Sequence, residues 1–180
     1  MAPPVSHLPA SGVSRVMRPE PFERIVAAHQ GEIYRYLLRT TRRTSEADDL
    51  SQETFLRAYR AYRALPPDAN VRAWLFAIAT NLYRNHFRAE KRRRTAHATV
   101  RATRSETDPG GPEGEAVFNE ARALVETSIN RLPPKQRLAF VMRKVHDLDY
   151  AAIARSLSCS AESARAHVFQ ALRKIRQSLN

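Results

Sequence analysis

Two groups of side chains in this sequence are spaced for chemistry, and they carry opposite charge. Glu46, Asp48, Asp49 and Glu53 crowd into Ser45-Glu46-Ala47-Asp48-Asp49-Leu50-Ser51-Gln52-Glu53, with no base among them. Further on, Arg72, Phe76, Tyr83, Arg84, Phe87, Arg88 and Lys91 share one side of a helical stretch that continues into Arg92, Arg93 and Arg94. Clustered carboxylates suit metal-assisted or acid–base catalysis, but these fall at the start of a capped helix and make no carboxylate–metal or nucleophile constellation. The six histidines are scattered and Cys159 is the one cysteine, so no metal ligands have a recognisable spacing. What remains is recognition. Acids suit a basic protein surface, while aromatics interleaved with guanidinium groups offer unpaired nucleic acid stacking faces and phosphate charge. No catalytic residue, metal or cofactor is expected.

The elements that must hold these groups are helical. Among 180 residues, 43% are apolar and 27% charged, with few β-branched runs, which leans all-α and allows one large or two small domains. A formal net charge of +12 calls for a polyanionic partner, nucleic acid or an anionic membrane surface. No apolar run approaches the roughly 20 residues that span a bilayer. Met1 to Pro21 lacks the apolar core of an export signal, and a lone cysteine excludes an internal disulfide and fits a reducing cytoplasm. Three of the five glycines fall in Asp108-Pro109-Gly110-Gly111-Pro112-Glu113-Gly114, a flexible linker by composition. The chain therefore divides into a disordered extension (1–21), a helical domain (22–95), a linker (96–115) and a second helical domain (116–180).

Phe22 to Arg39 reads as a helix in which Gly31 costs roughly 1 kcal/mol against alanine and predicts a break or kink. The next helix takes Ser45 as its N-cap, with Asp48 in capping-box position and Leu50, Phe55, Tyr59 and Tyr62 on its apolar face. Acids first and arginines last suit the helix dipole, which is the plain account of the acidic cluster. Gln52 and Glu53 lie past the first turn, so a docking surface stays open as the alternative. Pro66 and Pro67 stiffen a turn, Asn70 caps the following helix, and Val71, Trp74, Leu75, Ile78 and Leu82 form its buried side. Phe76 is read as packing against a neighbour.

In the second half, Ala116 to Arg131 is helical with Val117, Leu124, Val125 and Ile129 apolar, and Pro134 opens a helix whose stripe is Leu138, Val141, Met142 and Val145. Asp149 caps a short helix carrying Tyr150, Ile153, Ala154 and Leu157. Ser158-Cys159-Ser160 is a turn, with Cys159 filling a small apolar slot, and the last helix turns Ala164, Val168, Ala171 and Ile175 inward. A short helix, a tight turn and a longer basic helix form a helix-turn-helix unit. Its outward rows, Ser163, His167, Gln170, Lys174 and Arg165, Phe169, Arg173, Arg176, can divide between base edges and phosphates.

With these residues assigned, Asp48-Asp49-Leu50-Ser51-Gln52-Glu53-Thr54-Phe55-Leu56-Arg57-Ala58-Tyr59 resembles the second region of bacterial sigma factors. Val71-Arg72-Ala73-Trp74-Leu75-Phe76-Ala77-Ile78-Ala79-Thr80-Asn81-Leu82 resembles the helix that follows it in the extracytoplasmic-function group. Leu132-Pro133-Pro134-Lys135-Gln136-Arg137 and Tyr150-Ala151-Ala152-Ile153-Ala154 resemble that group's fourth region. The resemblance implies that Asp49, Leu50, Gln52 and Glu53 meet RNA polymerase core. It implies that Pro67-Asp68-Ala69-Asn70 takes a flipped base of the minus-ten element, so that Asp68 and Asn70 join Arg72, Asn81, Arg84 and Arg88 on melted DNA. It also implies that Ser163, Arg165, His167, Gln170, Arg173 and Lys174 read the minus-thirty-five element. Promoter DNA, polymerase core and an anti-sigma factor are the implied partners, in the cytoplasm and without membrane insertion. The two domains are expected to stand apart so that each reaches one element. Ser158 stands where the family often has glycine, His167 and Gln170 where bases are frequent, and Ser51 where an apolar residue is usual. A free-standing helix-turn-helix regulator and a nuclease or recombinase are the rival readings. The first would shift its operator DNA without polymerase, and the second would cleave DNA with magnesium.

Overall fold

Helix α1 (Phe22–Thr41) runs straight through Gly31 in this computed structural model, which describes residues 21–96 and 116–179. The expected break is absent. Gly31 is exposed, and a Cβ there would meet only the Arg35 guanidinium at 3.3 Å, so nothing demands glycine's freedom. Burial of Ile25, Ile33, Tyr36 and Leu37 on either side outweighs the roughly 1 kcal/mol propensity cost. The disordered extension and the linker of the sequence reading lie, but for Pro21 and Ala96, outside the described residues.

Helix α2 (Thr44–Ala61) departs further from expectation. Its N-cap is Arg43, without a side-chain cap bond, and Arg43 instead pairs with Glu46 at 2.5 Å. Ser45 is inside the helix. The buried row is Ala47, Leu50, Ser51, Thr54 and Ala58. These are mostly small residues, so α2 can lie close to α1 and the next helix. The Thr54 hydroxyl returns a 2.6 Å hydrogen bond to the Leu50 carbonyl, which satisfies it without a tertiary partner. Tyr59, expected inward, is 55% exposed and packs edge-on against Phe22 at 5.3 Å. Helical period alone could not separate a small-residue face from an aromatic one.

A single 3₁₀ turn (Tyr62–Ala64) and the Pro66–Asn70 turn lead to α3 (Val71–Ala96). Asn70 caps it as expected, its Oδ1 accepting from the Ala73 N–H at 2.9 Å. Leu75, Phe76, Ala79, Thr80, Leu82 and Tyr83 are all buried, while Val71, Trp74 and Ile78 are half-buried. The helix is therefore covered on two sides rather than one. Helices α4 (Ala116–Asn130), α5 (Pro134–Lys144), α6 (Tyr150–Leu157) and α7 (Ala161–Leu179) follow. Pro134 opens α5, and the Asp149 carboxylate accepts from the Ala152 N–H at 2.6 Å. Leu124 and Val145, expected on apolar stripes, are 49% and 43% exposed.

The second cover on α3 is the C-terminal half itself. Helix α6 lies against α3 and α5 against α1, so one core joins Tyr36, Leu75, Phe76 and Tyr83 to Leu138, Met142, Ile153 and Leu157. The halves expected to stand apart are packed together in this state of the chain. The α6–α7 turn shows a local cost of the sequence: Ser158 adopts a left-handed conformation (φ 52°), where a side chain is strained and glycine is not. Ser158→Gly is expected to stabilise the protein by ~0.5–1 kcal/mol, read as a higher urea midpoint with unchanged slope.

Candidate protein and nucleic-acid interfaces

Along the outer side of α2, Asp49 and Gln52 are exposed and continue into Leu56 and Tyr59, 52% and 55% exposed. Positions 49, 52, 56 and 59 recur at helical spacing, so acid, amide and apolar groups form one outward strip. Glu53 lies beside it, half-buried, its carboxylate accepting from Arg57 Nε at 2.6 Å. Leu50, assigned to the same contact, is only 8% exposed and belongs to the core. It fixes the height of α2 rather than facing a partner. The sequence reading missed Leu56 and misplaced Tyr59. Their signal was available as large apolar residues in register with Asp49 and Gln52.

The residues assigned to melted DNA divide into two sets. Asp68, Asn81 and Arg88 are exposed. Arg88 Nε donates to the Arg84 carbonyl at 3.3 Å, and with Asn85, Lys91, Arg92 and Thr95 this residue lines an open basic cavity of about 720 Å³. Arg72 and Arg84 point the other way. Arg72 makes a two-pronged bond to the Glu32 carboxylate of α1 at 2.9 and 2.5 Å and also donates to the His146 carbonyl. Arg84 donates to the Leu157 carbonyl, at the C-terminus of α6, at 3.2 Å. Tyr83, read as a stacking face, is 3% exposed, and its hydroxyl accepts from Arg137 at 2.7 Å. Phe87 is the more exposed ring and stacks on Tyr83 with centroids 6.0 Å apart. Asn70 lines a second cavity, about 250 Å³, with Arg72, Ala73, Asp147, Leu148, Asp149 and Ala152.

On α7, Arg165, Arg173 and Lys174 are exposed, and Arg165 lies over the Tyr150 ring with 5.3 Å between its guanidinium carbon and the centroid. The Gln170 side-chain oxygen accepts from Gln136 Nε2 at 2.7 Å, which ties the helix to α5. Ser163 is half-buried, its N–H and hydroxyl bonded to the Ser160 hydroxyl at 3.1 and 3.0 Å. His167 is also half-buried, and burial together with nearby Lys135 holds its pKa below the usual value. Ser163 and His167 are thus partly withdrawn from the outward row. Phe169, expected in the second outward row but not among the residues assigned to the minus-thirty-five element, is 67% exposed between Arg165 and Arg173.

One polar cluster ties the halves together: Glu32, Arg72 and His146. His146 is 6% exposed, its ring 5.0 Å from Phe76 and 5.7 Å from Tyr36, centroid to centroid. Its Nδ1 meets the Glu32 carboxylate at 3.2 Å. A carboxylate only accepts, so Nδ1 carries the proton and Nε2 is left as a buried acceptor without a protein partner. Burial lowers the His146 pKa despite Glu32, with Arg72 and Arg39 adding to the depression. The Arg72 bonds hold the Glu32 pKa below the ordinary carboxylate range against its own burial. Among the described residues no group of histidines, cysteines and acids is placed to hold a metal ion, and no helix is long and apolar enough to cross a membrane.

Comparison with known proteins gives two family matches, Sigma-70 region 2 over residues 25–93 and Sigma-70 region 4 over residues 122–175. The chain is 31% identical over 177 residues to an RNA polymerase sigma-H factor of Pseudomonas aeruginosa, covering 93% of this chain and 91% of that one. It is 29% identical over 135 residues to an ECF RNA polymerase sigma-E factor of Escherichia coli K12, covering 71% of each. In three dimensions it is similar to the sigma factor RpoE in complex with the anti-sigma factor NepR from Bartonella quintana. The TM-score is 0.72 at 18% identity, over 88% of this chain and 96% of that one. It is also similar to CnrH in complex with the cytosolic domain of CnrY, with a TM-score of 0.62 at 23% identity over 88% and 86%. These structural likenesses speak to the fold.

The depressed pKa values of His146 and Glu32 set a pH dependence with a definite sign. Each group binds protons more readily unfolded than folded, so each contributes stability above its unfolded pKa and loses it as pH falls. Thermal midpoints of the full chain are expected to hold steady above about pH 7 and to decline below about pH 6.5 as His146 titrates. A second decline below about pH 4.5 follows Glu32. In His146→Phe the upper decline should shrink to the part that the half-buried His167 contributes, and the lower one should be kept, as checked by differential scanning calorimetry across that range.

Proposed function

The chain belongs to the extracytoplasmic-function group of the sigma-70 family, an alternative sigma factor that directs RNA polymerase core to promoters and initiates transcription without catalysing a bond itself, and on that premise we propose how its surfaces are assigned. Residues 22–95 form the unit that binds polymerase and the minus-ten element, residues 116–180 the unit that reads the minus-thirty-five element, and 96–115 the connector. Asp49, Gln52 and Glu53 dock on polymerase core, with Leu56 and Tyr59 extending the contact and Leu50 holding the helix from inside. The observation that carries this assignment is the outward strip of α2, where acidic and amide groups border large exposed apolar side chains in an otherwise basic protein. Such a strip supplies both charge complementarity and an apolar anchor, the two ingredients of a specific interface.

Asn81, Arg88, Asp68 and Asn70 meet melted minus-ten DNA, joined by Arg72 and Arg84 once these are released. Flipping a base costs a few kcal/mol, which a preformed turn and phosphate contacts offset. Arg165, Arg173, Lys174, Gln170, Ser163 and His167 face the minus-thirty-five element, the bases on phosphates and the amide and hydroxyl groups on base edges. The protein acts in the cytoplasm, where polymerase is. An anti-sigma factor is proposed as its inhibitor, since the structurally similar sigma factor RpoE of Bartonella quintana was co-crystallised with the anti-sigma factor NepR.

Gln52→Ala/Glu53→Ala is expected to weaken core binding at least tenfold, about 1.4 kcal/mol, and to abolish promoter-specific transcription in vitro. Loss of the surface pair with Arg57 should cost under ~1 kcal/mol of stability, so the helical signal and melting point stay near those of the unmodified protein. Unchanged affinity for purified core would refute the docking assignment.

A further inference from the structure

We propose that Gln170 reads an adenine of the minus-thirty-five element, and that Gln136 of α5 is the positioning residue that sets the direction of its amide. The inference rests on the assignment of α7 to that element and deepens it. Gln136 Nε2 donates to the Gln170 side-chain oxygen at 2.7 Å, across 34 residues of chain. Gln136 lies in the first turn of α5 and is 9% exposed, and its own side-chain oxygen is buried without a hydrogen-bond partner among the described residues. That orphan fixes which way both amides point. Turned over, Gln170 would become the donor and Gln136 would bury an amino group with two unpaired hydrogens. Leaving one carbonyl oxygen unpaired costs less than leaving two donors unpaired, so the observed sense is the stable one.

The bond leaves Gln170 with a defined pattern for a ligand. Its oxygen keeps one lone pair, and both Nε2 hydrogens remain. Gln170 is exposed, so this edge is open to a partner. An acceptor beside a donor matches the N6 amino group and N7 of adenine in the major groove. Guanine offers two acceptors there and would set its O6 against the Gln170 oxygen. Cytosine N4 and thymine O4 each engage only one half of the amide, and a basic side chain at this position would favour guanine instead. The surroundings suit base readout. Ser163, His167 and Gln170 share one row of α7 that spans ~10 Å at about 1.5 Å per residue, within a groove ~12 Å wide. Ser163 and His167 are half-buried, which leaves Gln170 as the exposed member of the three. Burial and Lys135 lower the His167 pKa, so the row is uncharged at neutral pH. Arg165, Arg173 and Lys174 are exposed around it and suit the phosphates that border the groove. Held by Gln136, the Gln170 side chain also loses less rotamer freedom on binding than an untethered glutamine.

The test is transcription in vitro by the full chain with purified polymerase core, on a promoter library randomised over the minus-thirty-five element and read by sequencing barcoded transcripts. The unmodified protein should select adenine over guanine at one position by roughly tenfold. Gln170→Arg should turn that position, and no other, to guanine. Gln170→Leu should leave it indifferent between the two purines. Gln136→Leu frees the Gln170 amide to rotate, so the adenine preference there should fall by roughly threefold or more, with the minus-ten preferences kept. A purely structural part for Gln136 would instead lower transcription from every library member alike and leave the ratio unmoved. Circular dichroism identifies a variant that fails to fold; Gln136→Met then replaces Gln136→Leu, and the Gln170 variants, at an exposed position, test the base contact in any case. A preference that does not follow Gln170, or one for a different base, would overturn the adenine contact. One that follows Gln170 but ignores Gln136 would remove the positioning role. Transcription indifferent to every position of the element would sink the assignment of α7 to it, and no promoter-specific transcript at all would sink the polymerase assignment.

Discussion

The arrangement depends on a helix that is covered on two sides over its middle turns. From Leu75 to Tyr83, α3 carries large apolar residues around more than half its circumference, and water is excluded from nearly all of them. Helices α1 and α2 cover one side. The remainder, Phe76 and Tyr83 above all, needs a second cover, and α5 and α6 supply it. At ~25 cal/mol per Å², burying aromatic side chains of this size is worth several kcal/mol, enough to hold two small helical units together without a covalent constraint.

Polar groups inside this joint are satisfied in ways that make it specific. The Tyr36 hydroxyl and the Thr80 hydroxyl lie 2.8 Å apart, and burial drives the Tyr36 pKa above its usual value, so the ring stays neutral. Glu32 and Arg72 would each be costly to bury alone. Together, with the His146 carbonyl and ring as further partners, they fix the register of α1, α3 and the α5–α6 turn. The same arginine has a second suitor in nucleic acid. A guanidinium that binds a carboxylate in a two-pronged way binds a phosphate just as well, so one side chain can belong to a closed state and a DNA-bound state in turn.

Much of the local structure was legible in advance because its causes are local. Asn70 and Asp149 cap their helices and Pro134 starts one, since capping involves groups three residues apart in the chain. The inward row of α7, Ala164, Val168, Ala171 and Ile175, follows from period alone on a helix with a single buried stripe. Helix α2 was misread because its buried row is built of small and hydroxyl residues, while its aromatics pack along the rim. Small residues carry little hydrophobic signal but allow the closest approach of backbones, and that choice belongs to the neighbours, not to α2.

The amino-acid order by itself determined that the chain is helical, where α3, α5 and α6 start, that one surface is acidic and two are basic, and which family its motifs resemble. Those properties depend on nearest neighbours, periodicity and net charge. Tertiary structure alone decided that Phe76 and Tyr83 face the C-terminal half, that Arg72 and Arg84 are occupied by protein acceptors, and that Leu50 is core while Leu56 is surface. Each of these depends on which distant segment arrives to cover a given face. A pattern along one helix can require a cover, but only the packed chain supplies the partner.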